Sequence, residues 1–234
     1  NTIAKHMKHL KRHINIAINK EYIEIQKYAF RKYKIKTVEN KHTHLVPEEL
    51  EQLERLSLTD KHMKLQKSLD AFLFCCYAGM RYSDFTNLSK KNIVDINQET
   101  WLIYKSVKTG TEVRLPLYLL FAGKGIVILN KYRNNLEDFF RLRDNSNINK
   151  DLIIIAKLAG LSKKISFHTA RHTNATLLIY NGVNITTVQK LLGHKSVKTT
   201  QVYTNIMDMT IVHDLEKIKQ AACLLYTSPS PRNC

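Results

Sequence analysis

The chain has 234 residues, 44% of them hydrophobic, with only 7 Gly and 4 Pro, which excludes a low-complexity polymer and allows one large domain or one domain with part of a second. Its 37 Lys and Arg against 20 Asp and Glu give a formal net charge of +17 and a pI near 9.7, a field that favours a polyanion, nucleic acid before an anionic membrane surface. No uninterrupted apolar run reaches the ~18 residues of a membrane span, no signal-peptide pattern is present, and the four Cys form no CxxC pair, which excludes a disulfide framework or zinc ribbon and fits a reducing compartment.

Over residues 1–20, Ile3, Met7, Leu10, Ile14, Ala17 and Ile18 recur at helical spacing with Lys and Arg opposite, which predicts one amphipathic helix. The pattern opens in its middle and without Met, so the first residue reads as a cut. From Tyr22 to His44 the period dissolves into basic and aromatic residues. Residues 1–46 hold 11 Lys and Arg against 3 Asp and Glu. A basic linker along a phosphate backbone is expected there, with Lys11, Arg12, Arg31, Lys32, Lys34 and Lys36 as DNA contacts; a solvated strand and loop is the plain alternative.

Pro47 and the acidic residues after it signal a helix start. A second helix is expected from about Lys61 to Gly79, with Leu65, Leu69, Phe72, Leu73 and Cys76 inward and Cys75 and Cys76 as packing residues. Gly79 stops it, Ser83 is the expected N-cap of the next helix, and Arg81 falls in the turn between the two. Residues 92–117 change to three short strands, with turns near Asn97 and Gln98 and near Thr109 and Gly110, and Lys108 at the tip of the second. Helices are expected again from Gly125, through a run ending at Gly160, and over residues 208–222 with Ile211, Leu215 and Ile218 on one side. The last residues, 223–234, share no pattern with the rest and read as a vector or read-through scar.

The stretch from Ser166 to Asn205 concentrates the chemistry. His168 and Arg171 are three apart and share a helix face. Residues 182–192 form a short amphipathic run that Gly193 ends, and His194 follows at once. Two short helices and a tight turn would bring His168, Arg171, His194 and Tyr203 together. The set offers cations, polar donors and a phenol, without a carboxylate pair or metal cage, and suits an anionic substrate attacked by the phenol. His168 and His172 are four apart, but the residues between them are Thr, Ala and Arg rather than the Glu of HExxH, so no metal is expected.

The motifs AGMRYSDFTNL, VKTGTEVRLPL, HTARHTNAT and LLGHKSVKTTQVYTNI follow in that order. Together they resemble the catalytic domain of the tyrosine recombinases, the phage-integrase-like site-specific recombinases. The resemblance implies a mixed α/β, mostly α-helical DNA breaking-rejoining domain with a small antiparallel sheet over residues 45–222. Residues 1–40 would be the C-terminal remnant of a helical, SAM-like core-binding domain with its basic linker, and 223–234 a non-native tail. By the same resemblance Arg81 and Arg171 hold the scissile phosphate, and Tyr203 is the nucleophile that forms a 3′-phosphotyrosine. His168 takes the acid/base role, His194 hydrogen-bonds the phosphate, and Lys108 (with Lys105 as its near neighbour) protonates the leaving 5′ oxygen. Asp84 orients a neighbouring cation or histidine, and His172 is a supporting or structural histidine.

No cofactor or metal is implied, because the covalent bond conserves the phosphodiester energy. The implied partners are double-stranded DNA and three further copies in a tetramer, and the implied location is the cytoplasm, for a bacterial or phage-encoded, nucleoid-associated protein. Three alternatives share parts of this pattern: DNA relaxation of the type IB topoisomerase kind, an inactive DNA-binding remnant, and a metal-dependent nuclease. One departure stands out. Asn174 occupies a position that is aromatic in the family's His-Thr-Phe-Ala-Thr pattern, which predicts some loss of core stability.

Overall fold

The computed structural model describes residues 1–36 and 42–203. Packing divides the chain into two units, Asn1–Lys41 and His42–Cys234.

In the first unit, helix α1 (Thr2–Asn19) forms where the amphipathic period placed it. The basic stretch then makes two short 3-10 turns, Ile25–Lys27 and Ala29–Arg31, rather than a strand. Phe30 is buried between Tyr28 and Tyr33, each ring 6.0 Å away, and the Lys11 ammonium lies 6.0 Å from its centroid. Arg12, Arg31, Lys32, Lys34 and Lys36 are exposed.

The second unit is built around α3 (Gln66–Ala78), whose residues from Ser68 onward are all buried. A helix apolar on every side belongs in a core. It is preceded by a 3-10 segment, Asp60–Leu65, so the expected helix from Lys61 changes its winding at Gln66. α2 (Pro47–Glu54) begins at its proline, and the Glu49 carboxylate accepts the Val46 N–H at 2.9 Å. α4 (Tyr82–Phe85) starts one residue after Arg81, which therefore occupies the N-cap position assigned to Ser83. The reason is the backbone: Gly79 turns left-handed, with φ 66°, and Arg81 is extended, so helical winding begins at Tyr82.

Strands β1 (Ile93–Ile96), β2 (Glu99–Lys105) and β3 (Glu112–Pro116) form an antiparallel sheet in sequence order. Trp101 pairs with Val94 on one side and Pro116 on the other. The β1–β2 turn has both central residues, Asn97 and Gln98, at positive φ, the geometry that matches strand twist in two-residue hairpins. Leu102, Tyr104, Val113 and Leu115 point into the core.

Helices α5 (Lys124–Lys131), α6 (Leu136–Phe140), α7 (Asn145–Leu158), α8 (Phe167–Tyr180), α9 (Ile185–Leu192) and α10 (Lys198–Gln201) complete the described unit. α6 was not expected, although Asn135 caps it and Glu137 and Asp138 sit in its first turn. Its Phe139 and Phe140 join Phe74, Phe85 and Phe167 in a mostly edge-on or tilted cluster with centroids 5.3–6.3 Å apart. α8 packs along α3 and is buried over most of its length. Cys75 and Cys76 are fully buried, and burial pushes both thiols well up, as suits packing residues. The expected helix over 208–222, the tail 223–234, and Cys223 and Cys234 lie outside the described residues.

Candidate active site

Arg171 is the centre of the site. It projects from α8 and is 1% exposed. One terminal nitrogen donates to the Gly79 carbonyl at 2.7 Å and the other to the Leu192 carbonyl at 2.6 Å. Those carbonyls end α3 and α9, where backbone oxygens lack intrahelical partners and carry partial negative charge. One guanidinium therefore ties three helices. Burial, then the nearby charge of Arg81, lowers its pKa to about 10, which leaves it protonated at neutral pH.

Asn174, one turn further along α8, works the same seam. Its amide donates to the Cys76 and Tyr77 carbonyls, both at 2.9 Å. The polar side chain at this buried position therefore meets the open carbonyls of the α3 C-terminus, and its amide nitrogen is not left unpaired. A Cβ on Gly79 would stand 2.6 Å from Asn174 Oδ1, so that turn requires glycine for space as well as for its φ.

Arg81 emerges from the turn that Arg171 holds. Its guanidinium donates to Ser106 Oγ at 3.2 Å and faces Asp84 at 3.5 Å. Asp84 is buried and accepts from the Val107 N–H at 2.8 Å and from Ser106 Oγ at 3.3 Å. It thereby joins α4 to the start of the β2–β3 loop. That loop is closed by a Gly110 N–H to Ser106 carbonyl bond of 2.8 Å and is pinned to the end of α9 by Thr109 Oγ1, which donates to the Gly193 carbonyl at 3.1 Å. Lys108 stands exposed at its tip and lines the cleft, whereas Lys105 ends β2 and is not among the lining residues.

The histidines differ in placement. His168, in the first turn of α8, is exposed. His172, one turn on, meets the His168 ring edge-on at 4.5 Å, and its Nδ1 lies 3.2 Å from the Tyr203 hydroxyl. It is therefore His172, rather than His168, that touches the tyrosine. Gly193 ends α9 left-handed, with φ 63°, and turns His194 inward, where Nδ1 lies 2.9 Å from Thr200 Oγ1. Burial, then neighbouring rings and guanidinium groups, lowers the pKa of His172 and of His194 to about 3. His168 is lowered too, by the partial enclosure of its ring in the cleft and then by the charges of Arg171 and Arg81. Tyr203, just past α10, is buried; burial raises its pKa and the charges of Arg171 and Arg81 oppose the rise.

These groups line one cleft of about 210 Å³: Arg81, Lys108, His168, Arg171, His172, His194 and Tyr203, with His42, Thr199 and Val202. Asp84 stands behind Arg81 and outside the lining. Among the described residues no carboxylate lines the cleft, and no group of three or more His, Cys, Asp and Glu is placed to hold a metal ion. The basic residues expected to contact DNA, Lys11 to Lys36, belong to the first unit. Sequence reasoning missed His42, Ser106, Thr109 and Thr200. Ser106 and Thr109 flank the loop lysine and could have been weighed with it, but nothing local marks His42 or Thr200.

A phenol, neutral imidazoles and three cations around a cleft this small fit an anionic tetrahedral group. Guanidinium offers planar, permanently charged donors to phosphate oxygens, and a buried tyrosine beside a neutral imidazole has a proton acceptor within reach.

Comparison with known proteins points the same way. The model of the phage integrase family matches residues 43–209. A tyrosine recombinase of Pseudothermotoga lettingae is 30% identical over 181 residues, covering 75% of this chain and 60% of the relative. The crystal structure of XerA recombinase superposes with a TM-score of 0.60 at 22% identity, covering 92% of this chain and 82% of that one. A lambda integrase tetramer bound to a Holliday junction superposes with a TM-score of 0.64 at 19% identity, covering 83% and 56%. At these identities the superpositions speak for the fold. The chain spans about two fifths to three fifths of the length of the curated relatives it matches.

Proposed function

Because this chain belongs to the phage integrase family, we propose that it supplies the catalytic part of a site-specific recombinase, which cuts and rejoins DNA through a 3′-phosphotyrosine. The observation that carries this reading is the placement of the Tyr203 hydroxyl 3.2 Å from His172 Nδ1, in a cleft shared with Arg81, Lys108 and Arg171.

In the proposed step the Tyr203 oxygen attacks the scissile phosphorus. Its proton passes to His172 Nδ1, which lies within hydrogen-bond reach of the hydroxyl at 3.2 Å. The bond from phosphorus to the 5′ oxygen breaks, and Lys108 protonates that oxygen, which as an alkoxide would leave poorly. Arg81 and Arg171 face the non-bridging oxygens. Arg171 spends two of its five N–H groups on the Gly79 and Leu192 carbonyls, and the rest of its guanidinium is turned to the site. In the tautomer whose Nδ1 accepts from Thr200 Oγ1, 2.9 Å away, His194 carries its proton on Nε2 and can donate it to a phosphate oxygen. His168 stands at the cleft mouth as a further proton carrier. Asp84 and Ser106 fix the Arg81 guanidinium. Attack by another strand's 5′-hydroxyl reverses the step and releases the tyrosine, so no external energy source is needed.

The partner in this reading is duplex DNA, and the working assembly is a tetramer, as in the lambda integrase neighbour. Residues 1–40 serve as the end of a core-binding domain and as a basic linker, and Lys11, Arg12, Arg31, Lys32, Lys34 and Lys36 contact the phosphate backbone. The test is a trap. Nicked duplexes of mixed sequence lose the cut fragment and cannot religate, so detergent-quenched reactions should show a covalent protein–DNA band that persists in EDTA and vanishes in Tyr203→Phe. DNA binding with no band under any condition would leave the reading of an inactive binding remnant.

A further inference from the structure

His42 lies in the cleft although no sequence pattern singles it out. It sits on the segment that leads into α2, and that segment is tied to α8. Leu45, fully buried, donates its N–H to Thr173 Oγ1 at 2.9 Å, and Thr173 donates in turn to the Thr169 carbonyl at 2.9 Å. Lys163 donates to the His44 carbonyl at 3.2 Å and pairs with Glu49 at 2.6 Å. With residues 44–46 fastened, the His42 ring packs against the His172 ring in a tilted contact, with centroids 4.5 Å apart and planes at 35°.

The contact matters because of what His172 does next. Its ring meets His168 edge-on and His42 in a tilted contact, and it presents Nδ1 to Tyr203. An imidazole that turns about χ2 exchanges a nitrogen for a carbon at that position, and the sp³–sp² torsion that governs the turn is broad. A flat ring laid against it narrows that freedom.

We propose that His42 is a positioning residue for strand cleavage: its ring, held over His172 by a segment tied to α8, keeps the His172 imidazole turned with Nδ1 at the Tyr203 hydroxyl. The proposal rests on the reading of Tyr203 as the nucleophile. His42 takes no proton in the reaction; it acts through His172, so a flat side chain of another chemistry should replace it and an aliphatic one of similar size should not.

The test compares His42→Phe with His42→Leu in the full chain, by the single-turnover rate of covalent adduct formation and by DNA affinity measured separately. His42→Leu should slow the adduct by up to about a hundredfold, the scale expected for a misaligned reacting group, with affinity and thermal midpoint nearly unchanged. His42→Phe should recover most of the rate. In a His172→Gln background, His42→Leu should add nothing, because the two act as one unit. Unchanged rates in His42→Leu, equal losses in both variants, or a loss that persists in full with His172→Gln would overturn the proposal. A readout independent of chemistry separates it from the reading it rests on. In DNA-free protein, side-chain ¹⁵N NMR should show His172 as one Nε2–H tautomer, and His42→Leu should turn this into a mixture. A spectrum unchanged in His42→Leu would overturn the proposal even where the adduct forms, whereas wild-type protein that forms no adduct would count against the nucleophile and leave the NMR result to decide His42.

Discussion

Arg171 and Asn174 show how much of this site depends on two side chains reaching the same seam. Lysine at position 171 keeps a charge but has one donor head, which cannot serve two helix-end carbonyls and a phosphate. Arg171→Lys is therefore expected to slow adduct formation by about a hundred- to a thousand-fold and to lower stability as well; an equal rate in a stable variant would contradict the anchoring role. Asn174→Leu places a somewhat larger apolar group of the same branched shape there and strands two buried carbonyls. It should lower unfolding free energy by about 1–3 kcal/mol, measured by urea titration, whereas a neutral or stabilising result would mean that water satisfies those carbonyls. At this scale the sequence was readable where spacing carries chemistry, as in the residues from His168 to Arg171 and from His194 to Tyr203. It was unreadable where a side chain acts across the fold: the Asn174 bonds span 97 and 98 positions and the His42–His172 ring contact 130, and no local pattern records them.

Elements place these residues through their ends. α3, α9 and the β2–β3 loop all terminate at the cleft, and Gly193 is the joint between two of them. It holds φ 63°, and a Cβ there would stand 2.6 Å from Val113 Cγ2 on β3. Gly193→Ala is expected to cost about 1–3 kcal/mol for the left-handed backbone alone and to loosen the loop that carries Lys108. A thermal midpoint equal to wild type would show that the joint relaxes without loss. Thr109→Val removes only the hydroxyl that bonds to the Gly193 carbonyl, so it should slow adduct formation more than it lowers stability. The elements themselves were largely legible. Helical and alternating periods, Pro47 as a start and Gly79 and Gly193 as stops all have local causes. α6 was missed because five residues hold barely one helical turn, too few for a period to show. The start of α4 was misplaced because Ser83 is a good cap in isolation, while the backbone after Gly79 had already fixed Arg81 in that role.

For the whole molecule the governing quantities are charge and proton balance. With a formal charge of +17, DNA affinity should fall steeply as salt rises, with a slope that counts the phosphates neutralised. Comparable affinity at low and high salt would contradict a backbone-tracking mode. The pH dependence follows from His172 and His194, whose pKa drops from 6.5 to about 3 on folding. Below pH 6.5 the unfolded chain binds protons that the folded chain refuses, so stability is full above that value and declines as pH falls toward 3. Denaturant titrations between pH 7.5 and 5, above the range of ordinary carboxylates, should show the decline, and His194→Gln should make it shallower. A flat profile would mean that both imidazoles protonate in the folded state.

The most direct measurement is the chemistry of the trapped bond. Digesting the covalent adduct with protease and nuclease, then fragmenting the modified peptide by mass spectrometry, locates the attached nucleotide. The expected result is a nucleotide joined through its 3′ phosphate to Tyr203. A nucleotide on another residue, such as Tyr180, or one joined through its 5′ phosphate, would contradict the proposed mechanism at its first step.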